Sequence, residues 1–144
     1  LDGSLAMVYQ GGKLAIQAGK NPIALKSKPV NDGEWHHVAF VVSPGAKAFG
    51  DLTVYLDAKP FALASAKAAT WQAKLLEEKH RLSIGCGAVN VWKATGPAAG
   101  PGFDGALDEF AAWYRALSPE EIKALYVGAK QGKTASQIDK TFTK

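Results

Sequence analysis

The side chains of this 144-residue chain that could do chemistry are its adjacent carboxylates, three histidines, one cysteine and four tryptophans. Cleavage of a sugar bond needs two carboxyl groups facing each other across it. Asp108 and Glu109 are neighbours, so on a strand they point to opposite faces and cannot form that pair. Glu120 and Glu121 follow Ser118-Pro119, and capping with the positive end of a helix dipole accounts for them. The chain is therefore read as not an enzyme. His36 and His37 adjoin each other in an apolar run, which separates their rings and leaves no His-x-His metal pair. Packing and backbone hydrogen bonding are their expected roles. Cys86 has no second cysteine to pair with, so no internal disulfide staples the fold, and it reads as a small buried residue.

Asp108 asks for more. Alternation puts it on one face with Phe110 and Ala112, expected to look inward, and a carboxylate there needs a partner. The partner could be backbone amides, Arg81 or Arg115, or a calcium ion shared with Asp104. Calcium takes about 6 to 8 oxygens, so loop carbonyls or further strands would have to complete such a site. Among the tryptophans, Trp35 is expected in the core and Trp113 on the face opposite Phe110. Trp71 and Trp92 lie in or beside irregular stretches, so an aromatic platform for a sugar ring would use them.

These residues must be positioned by short strands. The hydrophobic share of 47% supports the core of one domain, and Gly 15 with Pro 7 suits a turn-rich all-β chain. Gln10-Gly11-Gly12 between apolar runs predicts a hairpin, and Asn31-Asp32-Gly33 predicts a second turn. Trp35 to Val42 reads as the strongest strand and ends at Ser43-Pro44-Gly45. Leu52, Val54 and Leu56 alternate with Thr53 and Tyr55. Residues 59 to 80 read as a loop with one or two helical turns near Trp71 to Glu78, and residues 94 to 102 as loop. Leu107 to Tyr114 reads as the last strand. Ser118-Pro119-Glu120-Glu121 then opens a helix through about Tyr126, with Ser118 as cap and Glu121 completing a capping box.

Lys and Arg number 17 against 13 Asp and Glu, a net charge of +4. The lysines are scattered from Lys13 to Lys144, which does not make the basic stripe of a nucleic-acid binder. No stretch reaches the roughly 20 apolar residues of a membrane span, and Leu1 opens no signal peptide. Residues 1–127 are expected to form the domain, and 128–144, with Lys130, Lys133, Lys140 and Lys144, a basic C-terminal tail with some affinity for acidic polysaccharide.

Five blocks appear in order: Asn31-Asp32-Gly33-Glu34-Trp35-His36-His37-Val38-Ala39, Val54-Tyr55-Leu56-Asp57, Leu82-Ser83-Ile84-Gly85, Phe103-Asp104-Gly105-Ala106-Leu107-Asp108-Glu109-Phe110, and Arg115-Ala116-Leu117-Ser118-Pro119-Glu120-Glu121-Ile122. Together they resemble the laminin-G-like domain of the concanavalin A-like lectin and glucanase superfamily. The resemblance implies an antiparallel jelly-roll β-sandwich with a short C-terminal helix. It also implies a non-catalytic carbohydrate- or matrix-binding module of a secreted or cell-surface protein, with a glycan or an extracellular protein as partner. The alternative is a structural or assembly domain of a larger extracytoplasmic complex, so extracellular, cell-surface and periplasmic locations all fit. The glucanases of this superfamily carry Glu-x-Asp-x-x-Glu on one strand, and no such run occurs here. Relatives that hold calcium near the sandwich rim keep that ion open for Asp104 and Asp108. Two departures stand out. Asp57-Ala58 replaces the usual Asp-Gly, so that hairpin is expected to be longer or differently shaped. Strands that usually precede a region like Leu5 to Gln17 are missing, so another chain or segment is expected to complete the sandwich.

Overall fold

The computed structural model describes residues 6–10, 12–17, 22–24, 27–46, 51–61 and 103–142. The expected Gly-Gly hairpin joins β1 (Ala6–Gln10) to β2 (Lys13–Gln17), with Gln10 opposite Lys13 and Gly12 at φ 81. A two-residue loop demands positive φ, which glycine adopts without strain. On its other side β2 pairs with β3 (Pro22–Ala24), giving one antiparallel sheet in the order β1-β2-β3. The second antiparallel sheet runs β4 (Val38–Val42), β5 (Leu52–Leu56), β6 (Lys59–Phe61). Residues 59–61 are thus a strand and not the start of the expected loop, because the turn at Asp57-Ala58 returns them to β5.

The alternation of β5 decides the layers. Leu52, Val54 and Leu56 face Leu14 of β2, with Val38, Phe40, Val42 and Phe61 around them. Val54 is 0% exposed. Tyr55 points the other way and joins Val41, Leu117 and the residues Ile122 and Leu125 of the helix that follows in a second cluster. Antiparallel sheets sharing one apolar interface, with helices outside, are the architecture of a β-sandwich.

Helix α1 (Pro119–Lys130) starts as the sequence predicts. Glu121 N donates to Ser118 Oγ at 3.2 Å, and Ser118 N donates to Glu121 Oε2 at 2.7 Å. The same carboxylate takes both Arg115 guanidinium nitrogens at 2.7 Å, and this contact first, then the Ser118 amide, holds Glu121 down to about 2. The helix runs one turn past the expected end. It stops where Gly132, at φ 73, lets Gly132 N bond Ala129 O and Lys133 N bond Gly128 O, a Schellman closure.

Residues 128–144, expected as a tail, carry α2 (Ala135–Asp139). Thr134 and Gln137 form a second capping box, and Ile138 is buried against α1. A Thr-x-x-Gln start and the apolar residues Ile138, Ala135 and Phe142 dock this turn, although the lysines around it suggest solvated chain.

The expected last strand from Leu107 to Tyr114 is not formed. Glu109 has φ 53, which takes it out of an extended run, and no described strand pairs with the segment. Its side chain instead accepts from Ala135 N at 2.9 Å, while Trp113 Nε1 donates to Asp139 Oδ1 at 2.9 Å. Both bonds tie this segment to α2. Leu107 and Phe110 are exposed, so the inward face expected for Phe110 and Asp108 is not seen.

The Asp57-Ala58 turn is a tight two-residue hairpin, not a longer one, with Asp57 at φ 51, Ala58 at φ 61 and Leu56 opposite Lys59. Alanine in the left-handed region costs about 1–2 kcal/mol. Ala58→Gly should therefore raise stability by about 0.5–1 kcal/mol, net of a lost half-buried methyl, as a higher midpoint in urea unfolding. Gly128 offers the opposite test, because an added methyl would overlap Ile138 Cδ1. In a double-mutant cycle, Gly128→Ala should lower the melting midpoint of the native chain but raise it in an Ile138→Ala background, where only the helix-propensity gain of about 1 kcal/mol remains.

Candidate functional site

Trp35 and His36 stand where β4 and the β5–β6 hairpin converge, and the local chain explains their placement. Leu56 pairs with Val38, so the next rung would join His37 to Asp57. Asp57 N does donate to His37 O at 2.8 Å. Because Asp57 has turned left-handed, its side chain takes over as acceptor, and His37 N donates to Asp57 Oδ1 at 3.0 Å. The ladder thus ends with a carboxylate doing the work of a backbone carbonyl. The strand expected from Trp35 begins only at Val38 for this reason.

The second oxygen of Asp57 lies 2.9 Å from His36 Nδ1. His36 Nε2 lies 3.0 Å from Asp32 Oδ1, which also accepts from Glu34 N at 3.0 Å. One imidazole therefore links the turn at residues 31–34 to the hairpin at residues 57–58. The Asp57 contact is the main effect and raises His36 above its ordinary value of 6.5; burial opposes it, and the Asp32 contact adds to the rise. The Glu34 amide, then His36, holds Asp32 below its ordinary value of 3.8. His37 moves the other way, since burial pushes it down, and its Nδ1 is enclosed without a hydrogen-bond partner among the described residues. The His37 ring centroid is 6.2 Å from that of Tyr126 on α1. Lys130 Nζ sits 4.9 Å from the Tyr126 centroid, and the Tyr126 contact, with Asp57 and Glu34 further off, raises the lysine.

Trp35 is 66% exposed, which corrects its expected place in the core. Both of its neighbours are committed: Glu34 N to Asp32 and His36 to two carboxylates. The chain direction is set by these polar anchors, and the indole is left facing solvent beside Asn31, Asp32 and Glu34, all exposed. An aromatic face bordered by amide and carboxylate groups is chemically suited to a polyhydroxylated ring.

Asp104 and Asp108 are both exposed. Asp108 Oδ1 accepts from Glu109 N at 2.8 Å, so backbone, and not Arg115, is its partner. Among the described residues no three His, Cys, Asp or Glu side chains assemble as a metal-binding group. Trp71, Trp92, Cys86 and Arg81 lie outside the described residues. Sequence reasoning missed the His36 bridge. Its available signals were the i,i+4 spacing of Asp32 and His36 and an aspartate opening a two-residue turn directly after a strand.

A family model described as the concanavalin A-like lectin/glucanases superfamily, of laminin G type, matches residues 2–123. No curated protein and no solved structure gives a match. Domains of this type are generally non-catalytic binding modules, although the superfamily also includes glycosidases. With paired antiparallel sheets, a capped C-terminal helix and a match over most of its length, this chain belongs to the laminin G-like family of the concanavalin A-like lectin/glucanases superfamily.

Proposed function

We propose that this chain is a non-catalytic recognition module that binds carbohydrate, or a glycan-bearing matrix protein, outside the cytoplasm on a jelly-roll sandwich. The observation that carries this reading is the exposed Trp35 on a turn anchored by His36 and edged with polar side chains. Sugar rings lay their C–H faces on such indoles while hydroxyl groups bond the polar surround. Trp71 and Trp92 are the further contacts proposed for the same ligand.

The non-catalytic reading draws support from how several of the described carboxylates are used. Asp32 and Asp57 hold His36, Glu121 holds Arg115 and the helix cap, and Glu109 holds the first amide of α2. A retaining glycosidase would instead leave two carboxyl groups free at about 5 Å separation, one of them in its protonated form.

A second reading, an assembly domain within a larger extracytoplasmic complex, is favoured by a specific observation. Phe103, Leu107, Phe110 and Tyr114 are exposed within one short segment, an arrangement that suits cover by a partner.

Titration calorimetry against neutral oligosaccharides separates these readings. Saturable binding weakened at least tenfold by Trp35→Ala is the expected result, with Trp71→Ala and Trp92→Ala reporting any further contacts. Unchanged binding in Trp35→Ala would move the platform to Trp71 or Trp92. Absence of saccharide binding together with concentration-dependent association in sedimentation would favour the assembly domain.

A further inference from the structure

We propose that His36 is a proton-operated clasp: as an imidazolium it fastens the Trp35 turn to the Asp57–Ala58 hairpin, and loss of its proton with rising pH frees that turn. The geometry requires this. Nδ1 and Nε2 each face a carboxylate oxygen, at 2.9 Å and 3.0 Å. A neutral imidazole has only one N–H, so its other nitrogen would turn a lone pair on an anion. Only the doubly protonated ring satisfies both contacts, and both are then charge-assisted.

The clasp is placed where its opening has consequences. The His36 side chain is 19% exposed, against 27% for Asp57 and 50% for Asp32. Each carboxylate also holds a backbone amide, but Asp57 is the less exposed of the two, so deprotonation leaves the outer Asp32 contact the one to break. Asp32 carries the turn that immediately precedes Trp35. The charged and titratable groups around His36 are Asp32 and Glu34 from its own turn, Asp57 from the hairpin, His37 ahead of β4, and Lys130 and Tyr126 from α1. Burial pushes His37 down, in the direction opposite to His36, and the Tyr126 contact pushes Lys130 up.

The raised His36 contributes stability that is complete below its ordinary 6.5 and disappears as pH climbs through the higher folded value. The depressed Asp32 contributes stability present above its ordinary 3.8 and lost as pH falls below it. The clasp is closed between these limits and opens on the alkaline side.

The clasp itself can be read without a ligand, whereas its effect on recognition rests on the Trp35 reading above. Proton resonances of His36, amide exchange at Glu34 and Trp35 emission are followed from pH 5 to 9.5 in the native chain, His36→Gln and Asp32→Asn. Asp32→Asn retains an oxygen to accept from the Glu34 amide. The expected result is a His36 titration above 6.5, a Trp35 emission change with the same midpoint, and roughly tenfold faster Glu34 exchange once the proton is lost. Both variants should lose the transition. A His36 titration at or below 6.5, or an undiminished Trp35 transition in His36→Gln, would overturn the clasp. If an oligosaccharide binds, its affinity should fall over the same pH range in the native chain and stay level in His36→Gln; equal pH dependence in both would count against the clasp. If none binds, the recognition reading fails, and the titrations still decide the clasp.

Discussion

Burial of β5 on both of its faces is the constraint from which the layers follow. A strand with Leu52, Val54 and Leu56 on one side and Tyr55 on the other has no face to give to water. Each large aliphatic side chain withdrawn from solvent contributes about 1.5–3 kcal/mol, so both sides must be covered. Leu14 of β2 helps cover the first, and α1 the second through Ile122 and Leu125. The start of the helix is locked locally by Ser118, Glu121 and Arg115, through contacts separate from that packing. Its extension to Lys130 brings Gly128 under Ile138, and the absence of a side chain at that glycine lets α2 approach.

The same strand ends in an unfavourable turn, and this turn organises the candidate site. Two non-glycine residues in the left-handed region store strain, which persists only where neighbouring contacts hold it. Here the Asp57 carboxylate holds it, accepting the His37 amide with one oxygen and facing His36 with the other. An Asp-Gly turn would relieve the strain at the second position while keeping this carboxylate. The adjacent histidines are thereby divided. Paired anions favour charge on His36, and burial against α1 disfavours it on His37. A locally strained hairpin, a charged ring and an exposed indole are linked through one aspartate.

Much of the local structure was legible because its causes are local. The Gly-Gly hairpin, the Pro44-Gly45 turn and the Ser118 capping box each involve residues within four positions of one another. The Thr134-x-x-Gln137 box is equally local, but the lysines around it carry the pattern of a solvated tail and mask the docking of Ile138. Trp35 and the run from Leu107 to Tyr114 failed for a different reason. Alternation says which residues share a face; it does not say that a ladder partner exists or that the face is covered. Glu109 left the extended region to reach the start of α2, and Trp35 was turned outward by the anchoring of residues on either side. Trp71 and Trp92, the sugar contacts nominated from composition, fall outside the described residues.

By itself the sequence determined the class of the chain: five ordered blocks, the period of β5 and a capped helix at a set distance from them are sufficient for membership in this superfamily. Tertiary structure alone decided that Asp57 meets a histidine 21 residues earlier, that His36 is shared between two acids, and that Trp35 is open to solvent. These outcomes depend on which strand ends converge, and pairing between distant segments is set by the sum of packing on both faces of β5, which no window of neighbouring residues contains.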